Sequence, residues 1–174
     1  MQRQKDSKAR ATPGIGTHTF SPDTPAMPLS PDQPVETRSA YKHFLRIPTR
    51  WHDNDVYQHV NNTIYYSFFD TVINAYLIRE GGLDFEHGDV VGLAIETHCN
   101  FKKSIAFPQA VDAGLRIGKL GNSSVRYEVG LFIEGDDEVA AFGHFVHVFV
   151  ARPGNKPVTI PETLRAAMKR LLVS

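Results

Sequence analysis

The chain is short of several things, and each shortage removes a class of function. It has one cysteine, Cys99, in 174 residues. No intrachain disulfide can form, no CxxC pair can hold zinc, and a reducing, cytoplasmic setting is expected. Neither charge is in excess, since 19 Lys and Arg balance 19 Asp and Glu. Nothing therefore favours nucleic acid or an anionic membrane surface as partner. No apolar run reaches the roughly 18 residues of a membrane span. No basic region, apolar region and cleavage site occur in order, so no secretory signal is expected. HExxH and G-x-S-x-G are missing too, which leaves zinc-protease and Ser–His–Asp chemistry without support.

Residues 1–40 are poor in aromatics, with Phe20 alone, yet hold six of the eleven prolines. Such a segment buries too little apolar surface to offset its ordering entropy, so a disordered tail is expected before a single domain at 41–174. Its basic start, MQRQKDSKAR, leaves a transit peptide as the alternative. The aspartate and the many prolines argue against that.

From Phe44 the patterning becomes regular. FLRIPTRW alternates, with Leu45, Ile47, Thr49 and Trp51 on one face, and reads as a strand. Residues 63–80 carry Ile64, Tyr65, Phe68, Phe69, Val72, Ile73, Tyr76 and Leu77 at helical spacing and stop at Gly81-Gly82. Four alternating runs follow, 90–101, 111–120, 123–134 and 138–151, with Gly121-Asn122 and 135–137 as hairpin turns. The last three strands should be antiparallel neighbours. Pro161 then opens a short amphipathic helix with Leu164, Met168, Leu171 and Leu172. The order implies an α+β domain: a five-stranded antiparallel sheet curled round one long helix. The sheet's other face has few partners within the chain, so a homodimer or homotetramer is expected.

Between first strand and helix stands WHDNDVYQHVNN, 51–62, crowded with polar groups. Three readings are open. It could be a capping loop, with Asn61 or Asn62 as helix N-cap and Asp53 or Asp55 bonding local amides. It could hold a metal through His52, Asp53, Asp55 and His59, although no standard ligand spacing supports that. It could be catalytic. A carboxylate beside a helix N-terminus sits next to unpaired amides and the positive end of the helix dipole. An acyl carbonyl placed there would find a base or nucleophile and an oxyanion site together.

R-W-x-D-x-D-V-Y-Q-H-V-N-N at 50–62, Y-Y-S-F-F at 65–69, NFKKSIAFPQAVDAGLRI at 100–117 and HVFVA at 147–151 carry a family resemblance. From Leu45 to about Ala151 the chain resembles the hotdog-fold acyl-CoA thioesterases of the 4-hydroxybenzoyl-CoA thioesterase-like superfamily, in particular the long-chain acyl-CoA branch. One departure is Ser104, where the family often has proline. The resemblance implies a hotdog fold and hydrolysis of acyl-CoA without metal or other cofactor. It puts the catalytic carboxylate on Asp55 and the carbonyl-polarising amide near Asn62. His59 and Asn61 fall in its motif, and Tyr65 and Glu96 are candidate substrate contacts. Asp53 is expected to brace the loop. A hotdog enoyl-CoA hydratase and a non-catalytic acyl-binding or scaffold protein remain as alternatives.

The bland reading stands beside each remaining residue. Glu96 and Asp70 could be solvated or interface groups, and Phe68 and Phe69 are core before they are acyl pocket. His144 and His147 fall on opposite strand faces, which suits packing better than ligation. Lys102, Lys103, Arg116, Lys119 and Arg126 could meet CoA phosphates or simply face solvent.

Overall fold

A computed structural model describes residues 36–173. The tail reading of 1–35 lies outside these residues. The elements are β1 (His43–Pro48), α1 (Asn62–Gly81), β2 (Val90–Phe101), β3 (Ala110–Leu120), β4 (Ser124–Ile133), β5 (Val139–Ala151), β6 (Lys156–Pro157) and α2 (Glu162–Leu171). The expected helix and five long strands are all present. A sixth strand of two residues adds to them, pairing with the end of β5.

The long strands pair in the order β1-β3-β4-β5-β2, every neighbour antiparallel. Alternation gives this sheet two unlike faces. Val111, Ala113, Leu115 and Ile117 of β3 and Val125, Tyr127, Val129 and Leu131 of β4 are buried in one cluster with α1. The helix contributes Tyr65, Phe68, Phe69, Val72, Ile73, Tyr76 and Leu77, the stripe that its three- and four-residue spacing implies. At 20 residues α1 is about 30 Å long, enough to run the length of the strands. It ends where Gly82 takes a left-handed φ of 67° and donates to Leu77 O, a conformation costly for any side-chain-bearing residue.

Three sequence expectations need correction. The first strand stops at Pro48, not Trp51, because proline has no N–H for the ladder and Arg50 and Asp53 then cap a 3₁₀ turn over Trp51–Asp53. Trp51 is consequently 80% exposed and is not core. Leu172 follows the end of α2 and is partly exposed, while Ala167 joins Leu164, Met168 and Leu171 in the buried stripe. The domain also begins earlier than residue 41. Glu36 is buried, Thr37 bridges Glu138, and Arg38 donates to the Asp112 carboxylate at 2.9 Å.

This early segment covers part of the sheet's outer face. The Tyr41 ring lies on Gly114 and Gly130, where an added Cβ would come within 2.8 and 2.6 Å of it. Two glycines on neighbouring strands, paired directly in the ladder, make the seat for one aromatic ring. The tyrosine hydroxyl donates to Glu36 at 3.0 Å, and Arg116 joins Glu36 to Glu128. At the opposite edge β2 is uncovered: residues 93–98 are exposed.

Candidate active site

The loop between β1 and α1 is built almost wholly by hydrogen bonds. Thr49 donates through N–H and hydroxyl to Gln109 O, which ends β1 against the start of β3. The buried Asp53 carboxylate then accepts from Arg50 N at 2.7 Å, Arg50 Nε at 3.0 Å and Arg50 Nη2 at 2.8 Å. Burial pushes this carboxyl up, but the Arg50 hydrogen bonds and charge outweigh that and leave it below its ordinary value. Residues 54–60 fold back as a small hairpin. Asn54 bridges Val60, Asp55 N donates to His59 O, and Gln58 closes the turn with a left-handed φ of 67°.

Long-range bonds tie this hairpin to the domain. Val60 N donates to Ile105 O at 2.7 Å, Asn61 N to Asp53 O at 2.8 Å, and Asn54 Oδ1 accepts from Phe107 N at 3.1 Å. Tyr65, one turn into α1, accepts from Ile105 N through its hydroxyl at 3.3 Å. The segment before β3 thus clamps loop and helix start together.

At the helix start the residues divide their tasks. Asn61 is the N-cap, and its side chain accepts from Thr63 N at 3.0 Å and the Thr63 hydroxyl at 2.9 Å. The N–H of Asn62, the first helical residue, has no intrahelical acceptor by position. Asp55 stands seven residues earlier, half-buried, with Oδ1 accepting from Tyr57 N at 2.8 Å. The structure therefore brings Asp55, His59, Asn61, Asn62 and Tyr65 into one loop-and-helix unit. Trp51, Val56, Tyr57 and Phe107 present an exposed apolar rim around it, with Trp51 edge-on to Phe107 at 5.8 Å.

Glu96 is not brought there. It lies beside β5 on the face away from α1, where His144 Nε2 meets its carboxylate at 2.6 Å and Arg126 stands 3.9 Å away. The His144 hydrogen bond draws its carboxyl below the ordinary range. His98 stacks on His144 at 5.5 Å, and with Arg116, Arg126 and Glu128 they line a shallow hollow of about 440 Å³. Arg116, Arg126 and Lys103 are engaged in ion pairs, and Lys102 lies over the Phe142 ring. Among the described residues no three His, Cys, Asp or Glu side chains gather as a metal cluster. No described helix is long and apolar enough to cross a membrane.

His147 packs, as its strand position implies. HFVHVFV puts His147 on the same strand face as Phe145 and Phe149, and the structure buries it there, against Tyr127.

Comparison with known proteins fits this geometry. The family model of the thioesterase superfamily matches residues 57–140. No curated protein matches the chain. The PA5185 protein of Pseudomonas aeruginosa strain PAO1 is 53% identical over 81% of this chain and 99% of its own, with a TM-score of 0.79. The PA2801 protein of Pseudomonas aeruginosa is 31% identical over 72% of this chain and 97% of its own, at 0.69. A 1,4-dihydroxy-2-naphthoyl-CoA thioesterase from Synechocystis shares the fold at 14% identity, with 72% and 94% of the two chains covered and a TM-score of 0.67. With the long helix wrapped by its antiparallel sheet, and with these relatives spanning most of its length, the chain belongs to the hotdog-fold thioesterase superfamily.

Proposed function

We propose that the chain hydrolyses acyl-CoA thioesters, with Asp55 as nucleophile or general base and the Asn62 N–H as oxyanion donor. The observation that carries this reading is the division of labour at the helix start. Asn61 satisfies the amide of Thr63, which leaves the Asn62 amide for a ligand oxygen, while the same loop carries the Asp55 carboxylate. Attack by Asp55 would form a mixed anhydride and release CoA thiolate, and water would then regenerate the carboxylate. In the general-base route Asp55 takes a proton from water as the hydroxide attacks the carbonyl. Either route needs no metal or other cofactor. His59, Asn61 and Tyr65 hold the loop and helix start, and Glu96 has no part in this site.

The working form in this proposal is a homodimer or homotetramer in a reducing, cytoplasmic setting. An edge strand of 12 residues with Leu93 and Ile95 exposed offers unpaired backbone groups and apolar side chains to a second copy. A stable monomer in sedimentation at micromolar concentration would count heavily against it.

A panel of acyl-CoAs of varied length, aliphatic and aromatic, assayed for free CoA with a thiol reagent, tests the activity. Release from at least one member is expected. Release from none refutes the enzyme, and loss of an enoyl chromophore without CoA release would identify a hydratase instead.

A further inference from the structure

Between α1 and β2 the chain holds an aromatic ring out in water on a firmly built turn. The Asp84 carboxylate accepts from Glu86 N at 3.1 Å and His87 N at 2.8 Å, and Gly88 N donates to Asp84 O. Arg152, just beyond β5, donates to Phe85 O at 3.2 Å and Glu86 O at 3.4 Å through its guanidinium, and to Asp89 O at 2.7 Å through its N–H. These bonds fix the backbone of the turn, yet the Phe85 side chain is 61% exposed. A rigidly presented, exposed aromatic has the character of an anchor for a contact surface.

The edge strand says where that surface goes. Phe101, the last residue of β2, meets Tyr65 edge-on at 5.0 Å, so this end of the strand adjoins the helix start and the candidate site. The other end, Val90, follows the Phe85 turn. Twelve residues hold the two ends about 40 Å apart, so Phe85 cannot reach the site of its own chain. A second copy on the open edge changes this. Two copies of one edge pair antiparallel about a two-fold axis normal to the sheet, which keeps both helices on one side. The exposed run 93–98 centres the pairing between Ile95 and Glu96. Phe101 then faces Val90 of the partner subunit. The partner's Phe85 turn comes alongside the 105–107 segment, beside Trp51, Val56, Tyr57 and Phe107. Leu93, Ile95 and Phe101 line the path between, so the exposed apolar groups make one self-complementary surface.

We infer that Phe85 of the partner subunit closes the acyl pocket of each active site and sets the size of the acyl group accepted. The inference rests on the thioesterase reading and on pairing through β2. With the carbonyl between Asp55 and the Asn62 N–H, an acyl group lying on the rim buries one side only. The ring from the second copy covers the other side. A ring that sets size must not swing away, which gives the Asp84 and Arg152 bonds their use. A single copy holds the chemical groups and lacks this wall.

The test runs acyl-CoAs of graded size on three preparations of the full chain, with sedimentation fixing the oligomeric state of each. They are the unsubstituted chain, Phe85→Ala, and Phe85→Ala co-expressed with an excess of Asp55→Asn. Phe85→Ala should shift the kcat/KM ratio of large to small substrates upward by about 10-fold. In the mixture each copy that keeps Asp55 faces an intact Phe85, while the copies in excess lack the carboxylate. The mixture should therefore return the size preference of the unsubstituted chain. A mixture that keeps the Phe85→Ala preference would overturn the inference and leave thioester hydrolysis standing. So would a Phe85→Ala profile equal to the unsubstituted one, or an active monomer, which would assign the patch to a different partner. If Phe85→Ala dissociates, Phe85→Leu takes its place. If no thioester releases CoA, the hydrolase reading falls and cross-linking decides on the contact. A chain carrying Tyr57→Cys and Phe85→Cys should give a covalent dimer with a short bismaleimide, and monomer alone refutes it.

Discussion

Asp53 and Asp55 stand two residues apart and should respond to the same substitution in opposite ways. In Asp53→Asn the amide keeps one acceptor oxygen where the carboxylate had two, serving Arg50 N, Nε and Nη2. Its NH₂ then faces donors, and the buried carboxylate that neutralised the partly exposed Arg50 guanidinium is gone. Hydrogen bonds to charged groups contribute about 1.5–3 kcal/mol. Arg50 is 59% exposed and can rehydrate, which holds the net loss to about 2 kcal/mol. For a domain of this size that is a fall of about 6–8 °C in Tm. In Asp55→Asn the amide oxygen can still accept from Tyr57 N, so Tm should move by about 1 °C or less. Turnover should instead drop by a factor on the order of 10² or more, because the charge that attacks carbon or takes the proton is gone. Asp53→Asn should cost turnover less. The assay is CoA release together with thermal melting at one fixed protomer concentration. Equal, small losses of turnover from both would show that the Asp55 carboxylate is not the chemical group.

Tyr41→Ala strips the ring from its seat on Gly114 and Gly130 and should cost about 3 kcal/mol, near 10 °C by calorimetry. Burial holds His147 below its ordinary pKa, partly opposed by Asp70, and burial does the same to His43. The unfolded chain therefore takes up protons that the folded one refuses. Their contribution is fully present above about pH 6.5, the unfolded value, and is lost progressively as the pH falls from there through the lower folded values, a decline that His147→Leu should shallow in melts from pH 7.5 to 5.5. Burial pushes the Cys99 thiol up to about 12. A thiol reagent at pH 8 should react with it slowly in the folded chain and rapidly in denaturant, so fast colour in the activity assay belongs to CoA. Ile95→Lys on the exposed β2 edge should shift the chain towards monomer in sedimentation.

The parts of the fold that were legible are those with strong periodicity. The α1 stripe from Tyr65 to Leu77 repeats at helical spacing, and the four long strands carry alternating runs broken by a register shift at Ala94/Glu96, Ile117/Lys119 and Leu131/Phe132. Local rules also gave Gly82 as a helix stop and Gly121-Asn122 as a turn. What misled were positions where pattern and bonding disagree. Thr49 and Trp51 continue the alternation of β1, yet Pro48 cannot donate to the ladder and the Arg50–Asp53 pairing turns the chain away. Residues 36–40 have the composition of the tail before them. They are ordered by partners far along the chain, Asp112, Arg116 and Glu138, which no local pattern announces. Glu96 was open between a solvated or interface group and a candidate substrate contact, and the register shift between Ala94 and Glu96 and the bond to His144 set it on the outer face, which its neighbours in sequence do not announce.

The polar stretch is crowded because each group has a separate duty. Asp53 fixes Arg50 and receives the Asn61 N–H, Asn54 reaches Phe107, and Asn61 caps Thr63. Were the stretch only a cap, the Asn61 contribution would suffice, since one side chain at the N-cap satisfies the usual amide. The rest is spent on a hairpin that carries Asp55 and on clamping it, through Val60 and Asn54, to the segment at Ile105 and Phe107. Loops held by that many long-range bonds resist the disorder that small polar segments otherwise show. Rigidity of that kind has little use in a cap. It suits a carboxylate that must meet a carbonyl carbon while a helix amide meets the oxygen, because misplacement by about 1 Å at such a centre costs orders of magnitude in rate.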